Sequence, residues 1–254
     1  MSKRLLPLLS FALLASTNIA PVSAQSIPVN ASPLNVELIG VNKQLQFEQP
    51  ARLLDVLKQA QQQDLVLQYP LGTTLFDGSE QALRQSTALK NSVLNQMIQH
   101  NLVAHPFYKY VTKHQFAPRV FSAVDLDDIR LDKFKNPLID GEFSLVSMPR
   151  EEKVIYLGNL DNVFSVKEQA GITLKQQITN LKNKIGELAY PPILIYPDGN
   201  VVQPHHGSWL TTQYYLPPLT MVYIPFEDFE TSEMDQDIVK LLTQLKPTSI
   251  KSPL

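Results

Sequence analysis

Five histidines are the first residues to weigh, because imidazole is the commonest general base and metal ligand near neutral pH. His205 and His206 are adjacent, so only a loop turns both rings toward one ion, and no carboxylate lies close to them in sequence. His100, His105 and His114 are separated by five and nine residues, which matches no ligand spacing of a metal site. All five read as structural or surface histidines. Asp125, Asp127 and Asp128 offer a carboxylate pair of the kind glycosidases use. They fall where a strand runs into a turn, however, and turn aspartates ordinarily bond to local backbone. Serines are numerous, yet no G-x-S-x-G stretch and no glycine-rich phosphate loop occurs. The chain has no cysteine, which excludes thiol catalysis and disulfides together. The residues spell no catalytic signature and imply no metal and no cofactor.

Binding residues are better represented. Trp209, Tyr214 and Tyr215 cluster beside His205 and His206 in a polar segment. Such aromatics either stack on sugar rings or cap an apolar core. Arg119 opens an apolar strand containing Val120, Phe121 and Ala123 and follows Pro118. Its guanidinium is expected at a core edge, where it needs an acceptor. That acceptor is either an Asp or Glu of this chain or an acidic or hydroxyl group of a ligand. Arg119, Trp209 and Tyr214 are therefore the candidate ligand-binding residues.

The amino terminus narrows the setting in which these residues work. Lys3 and Arg4 precede an apolar run from Leu5 to Ala15, and Val22-Ser23-Ala24 has the small-residue form of a cleavage site. Residues 1–24 read as an export signal, with the mature chain starting at Gln25. The apolar run is about half the ~20 residues that span a bilayer, so no transmembrane helix is expected after cleavage. Removing Lys3 and Arg4 from 22 basic side chains leaves 20 against 24 acidic ones, a balance of −4. That excess argues against nucleic acid or an anionic membrane surface as a general partner.

The elements that must position these side chains show an internal echo. Val36–Gly40 is a short strand ending in glycine, followed by an extended piece at 44–48 and a helix carrying Leu53, Leu54, Leu57 and Ala60. Val154–Gly158 repeats the pattern, with a second strand at 163–166 and a helix carrying Leu174, Ile178, Leu181 and Ile185 on one face. Two strands and then a helix form the first half of a β-grasp unit, although strand-glycine-strand-helix is a common order. The second copy continues through a strand, an Asp198-Gly199 turn, another strand, and a last strand from Leu219 to Phe226. The first copy is interrupted by a helical insert from Asp77 to Leu102, with Leu94, Ile98 and Leu102 on a stripe and Val93 and Met97 beside it. Strands are expected at Phe107–Thr112, Arg119–Val124 and Glu142–Met148, and Pro149 marks a boundary. Ser232 with Asp235 approximates a capping box for a helix whose stripe runs Met234, Ile238, Leu241, Leu242 and Leu245 before Pro247. That helix packs on its own domain or docks on a partner or membrane.

The ordered set "LIGVNKQLQFEQPARLLDVL", "APRVFSAVDLDDIRLDKFKNPLIDGEFSLVSMPREEKVIYLGNL", "YPPILIYPDGNVV" and "LPPLTMVYIPFE" resembles the GfcC family of capsule and exopolysaccharide biosynthesis proteins. The resemblance runs from about Val36 to Leu245. It implies a periplasmic protein of Gram-negative bacteria, without established enzymatic activity. Its implied α+β fold has two β-grasp domains, a helical hairpin inserted in the first, and a C-terminal amphipathic helix. The implied divisions are a signal peptide at 1–24, a first domain at 25–149 with its insert at about 77–104, a second domain at 150–230 and the helix at 231–247. A family arginine falls on Arg119, while Pro118 stands where the family has glycine. The expected function is a non-catalytic accessory in assembly or export of a surface polysaccharide, with glycan or outer-membrane export machinery as partner. The rival expectation is an enzyme that hydrolyses or modifies the polysaccharide through Asp125–Asp128 or His205 with His206.

Overall fold

A computed structural model of the chain describes residues 32–167, 170–205 and 211–247; the expected export signal, His206 and Trp209 lie outside them. Strands β1 (Leu34–Ile39) and β2 (Lys43–Phe47) form an antiparallel pair, and the two-residue β3 (Ala51–Arg52) leads into helix α1 (Leu53–Gln62). Next come β4 (Thr73–Asp77), α2 (Glu80–Gln99), α3 (Pro106–Lys113), β5 (Gln115–Phe116) and β6 (Arg119–Phe121). Then α4 (Leu126–Leu131), β7 (Leu138–Ile139) and β8 (Gly141–Ser147) complete the first half. The second half opens with β9 (Lys153–Gly158), β10 (Phe164–Lys167), α5 (Leu174–Asn180) and α6 (Lys182–Ile185). It closes with β11 (Ile193–Ile195), β12 (Val201–Val202), β13 (Met221–Ile224), α7 (Glu233–Leu242) and β14 (Leu245–Lys246).

The fold is α+β, and its two five-stranded sheets share one plan. The first has the order β2-β1-β8-β4-β6 and the second β10-β9-β13-β11-β12. In each, the opening strand pairs antiparallel with the next and parallel with the last, β1 with β8 and β9 with β13. The glycine ending each opening strand turns the chain in the left-handed region, with φ of 99° at Gly40 and 103° at Gly158. A side chain at Gly158 would meet the Ile224 carbonyl at 2.2 Å, so only glycine lets β9 and β13 lie together there.

The two sheets bury themselves differently. Alternation in β1 sends Leu34, Val36 and Leu38 to a core with Leu75, Leu145 and the α1 residues Leu53, Val56 and Leu57. The second sheet is covered on both faces, which explains its nearly continuous apolar strands. Val154, Tyr156, Leu194 and Val222 pack with Leu174 on one side. On the other, Leu157, Ile195 and Tyr223 meet Val93 and Met97 of α2, Phe107 of α3, and Ile238 and Leu242 of α7. The helices inserted in the first half thus roof the second sheet.

Several local expectations are corrected. Residues 107–112 are helical. The His105 Nδ1 accepts from the Phe107 amide at 3.1 Å, and Pro106 takes the first helical position. Phe107, Tyr110 and Val111 then share a buried face, a helical spacing hidden in a run of β-formers. The buried stripe of α2 runs through Ala82, Ser86, Val93 and Met97, while Ile98 is 47% exposed. The helix expected through Ile185 breaks at Leu181 into α5 and α6. The strand expected to Val124 stops at Phe121, before Ala123 takes φ of 51°. Helix α7 ends at Leu242, and Leu245 pairs with Phe116 as a strand.

The start of α7 is held by a buried carboxylate. Asp235 is fully inaccessible and accepts from the Tyr223 hydroxyl at 2.5 Å, the Ser232 hydroxyl at 2.7 Å, and the Phe226 and Glu227 amides at 2.8 and 3.1 Å. Burial, then the charge of Asp235 and its hydrogen bond, push the Tyr223 hydroxyl pKa well above its usual value. Among the described residues no helix is long and apolar enough to cross a membrane.

Candidate functional site

Arg119 begins β6, an edge strand whose register sets it opposite Phe76 of β4. Its guanidinium carbon lies 5.3 Å from the centre of the Phe76 ring, so one face of the planar group is covered by an aromatic. Nε donates to the Thr243 carbonyl at 2.5 Å, just past the end of α7. Nη1 donates to the Pro197 carbonyl at 2.7 Å and the Thr74 hydroxyl at 3.2 Å. One side chain thereby joins the first sheet, the turn between β11 and β12, and the carboxyl end of α7. The turn fits because Gly199 lies against the arginine; a Cβ there would sit 3.1 Å from Arg119 Cδ, and φ is 87°. Burial lowers the Arg119 pKa to about 10, with the charge of Asp198 opposing the shift. The guanidinium is therefore still cationic at neutral pH.

A hollow of about 340 Å³ opens beside this group, lined by Pro118, Ser122, Asp198, Gly199, Thr243 and Gln244. Ser122, Asp198 and Arg119 are among its lining residues, side-chain types suited to holding a polar group by hydrogen bonds. The expected carboxylate partner of Arg119 is replaced by two backbone carbonyls and a threonine hydroxyl. Backbone acceptors carry no residue-type signal, so no sequence pattern points to Thr243 or Pro197. Asp198 was visible only as half of a turn.

The other expected site residues do not converge on this hollow. Tyr214 is half-buried against the core that holds Leu174, and its carbonyl accepts from the Leu174 amide at 2.8 Å. Tyr215 is 52% exposed, and His205 is exposed on the strand side of the same segment. Asp125 caps α4 by accepting from the Asp127 and Asp128 amides at 2.8 and 3.4 Å. Asp127 pairs with Arg130 at 3.5 Å and Asp128 with Lys135 at 2.7 Å, all on the surface. His100 pairs with Glu227 at 3.2 Å, and His114 stacks on Tyr110 with its Nδ1 2.7 Å from the Tyr110 carbonyl. Among the described residues no group of three or more His, Asp or Glu is placed to hold a metal ion. No protein-family profile matches the chain, and a comparison with curated proteins finds no match.

Proposed function

We propose that the protein is a non-catalytic periplasmic accessory in the assembly or export of a capsule or exopolysaccharide, built from two β-grasp units, as its resemblance to the GfcC family implies. The observation that carries this reading is the repeated sheet plan. In each sheet the opening strand lies between an antiparallel neighbour and a parallel closing strand, and a helix follows the first two strands, a plan that supports the β-grasp reading. The chemistry-bearing side chains support a binding role over a catalytic one. Asp125 caps α4, Asp127 and Asp128 form surface ion pairs, and His100 contacts Glu227; the polar hollow beside Arg119 supports docking of a glycan or a protein of the export machinery. Deleting the gene should lower surface polysaccharide, and the wild-type gene should restore it. A complementing copy carrying Asp127→Ala, Asp128→Ala and His205→Ala should restore it equally well. Unchanged polysaccharide after deletion refutes the reading, and failure of the folded triple variant returns it to an enzyme.

A further inference from the structure

A second and larger concavity, about 560 Å³, lies over the outer face of the first sheet, away from the Arg119 hollow. The pleat explains its chemistry. Val36, Leu38 and Leu145 face the α1 core, so the alternate residues Glu37 and Ser144 must face the other way, opposite each other in the β1–β8 register. Near β4 and β6 that outer face is sealed by Phe76, Ala117 and Val146. Toward β1 and β2 it is left open and polar, walled by Leu83 of α2 and by Lys246 of β14.

The floor is held in place from within. Lys246, whose side chain is only 15% exposed, donates to Glu37 at 3.1 Å and to Ser144 at 2.9 Å, and Ser144 donates to Glu37 at 3.0 Å. Glu142 accepts from the side-chain Nδ2 of Asn35 at 2.7 Å. Lys43 is turned aside to Asp64 at 3.0 Å. The side-chain amides of Asn42 and Gln44 border the space without a partner among the described residues.

The cleft thus combines donors and acceptors, and its charged lining is balanced, Glu37 and Glu142 against Lys43 and Lys246. Its size is that of a small-molecule site, but such sites are usually lined mainly by apolar side chains. A mixed floor suits a ligand whose groups both donate and accept, which is the property of hydroxyls. With equal numbers of acidic and basic side chains and both lysines already paired to carboxylates, the cleft has no free charge that calls for an ionic ligand. We propose that this cleft binds a short stretch of an uncharged, hydroxyl-rich saccharide chain. The proposal rests on the polysaccharide reading above and gives it a binding place distinct from Arg119.

The test titrates the isotopically labelled protein with cellohexaose, maltohexaose and mannohexaose, and with hexagalacturonate as the anionic counterpart, following backbone amide resonances. At least one neutral probe should shift Glu37, Gln44, Glu142 and Ser144, and hexagalacturonate should bind about tenfold more weakly or less. Gln44→Ala, which removes a side chain with no internal partner, and Glu142→Gln should each weaken the neutral probe several-fold at unchanged melting temperature. The proposal is overturned if no neutral probe shifts these residues, if the shifts centre on Arg119, Ser122 and Gly199, or if hexagalacturonate binds as tightly. A gene deletion that removes surface polysaccharide, fully rescued by both variants, would discard the cleft while leaving the proposed function standing.

Discussion

Replacing Arg119 separates a structural latch from a ligand-binding arginine. The guanidinium makes three hydrogen bonds, to Thr243, Pro197 and Thr74, and lies over Phe76. Hydrogen bonds from a charged donor contribute about 1.5 kcal/mol or more each, and the ring contact adds roughly 0.5–1 kcal/mol. Those terms amount to about 5 kcal/mol, but the hollow beside the group is open, so water re-solvates part of what Arg119→Ala exposes. A net loss of about 3 kcal/mol follows for alanine, within the range for an interaction of this kind. For a chain of this size each kcal/mol lowers Tm by about 2–4 °C, so the expected drop is roughly 6–12 °C. Arg119→Lys keeps the charge but loses the planar fork. One ammonium at the end of a flexible stem does not reproduce bonds made from both Nε and Nη1, so lysine should recover less than half of the loss. Calorimetry and urea titration of the three proteins decide the matter. If Arg119→Ala melts within about 2 °C of wild type while surface polysaccharide falls, the latch is refuted and Arg119 acts on a ligand. If melting and output collapse together, Arg119 is structural and leaves the list of binding residues.

Truncation after Thr231 removes Met234, Ile238, Leu241 and Leu242, each at most 3% exposed. At about 1.5–3 kcal/mol per side chain this rivals the whole stability of a domain, so the truncated chain should show no cooperative calorimetric transition; wild-type melting would refute the packing described for α7. His105 gives a pH effect of definite sign. Burial lowers its pKa below the ordinary 6.5, opposed by the charge of Asp161, so the unfolded chain takes up this proton first as pH falls. The stability from neutral His105 is complete above about pH 6.5 and is lost as pH falls below it, when protonation also removes the Nδ1 acceptor that caps α3. Urea midpoints should therefore fall between about pH 7.5 and pH 5.5, less steeply in His105→Asn, which keeps a capping acceptor; an identical slope in both proteins would remove His105 from the account.

What the sequence determined by itself is local and periodic. The glycines closing β1 and β9, the alternation of Val36, Glu37 and Leu38, the Asp198-Gly199 turn and the Ser232 cap of α7 are each set by backbone preference or by a spacing of two or a few residues. They appear where the residues place them. Short apolar runs are less determinate. Phe107–Thr112 consists of good strand formers, and only the cap at His105 and the core waiting on the second sheet make it a helix. In the same way α2 has two adjacent apolar stripes, and contact with Leu157, Tyr223 and α7 selects the one containing Val93 and Met97. The site was decided almost wholly by tertiary structure. Thr74, Arg119, Pro197 and Thr243 are distant in the chain and meet only when both sheets and α7 are assembled. Two of the three hydrogen bonds from Arg119 end on backbone carbonyls, groups every residue carries and whose position depends on the fold alone. The polar cleft has the same origin: Glu37 and Ser144 become neighbours through a parallel pairing across the whole first half, and Lys246 reaches them from β14. Spacing rules operate within an element. Hydrogen bonds between elements exist only after the hydrophobic cores have fixed where those elements lie.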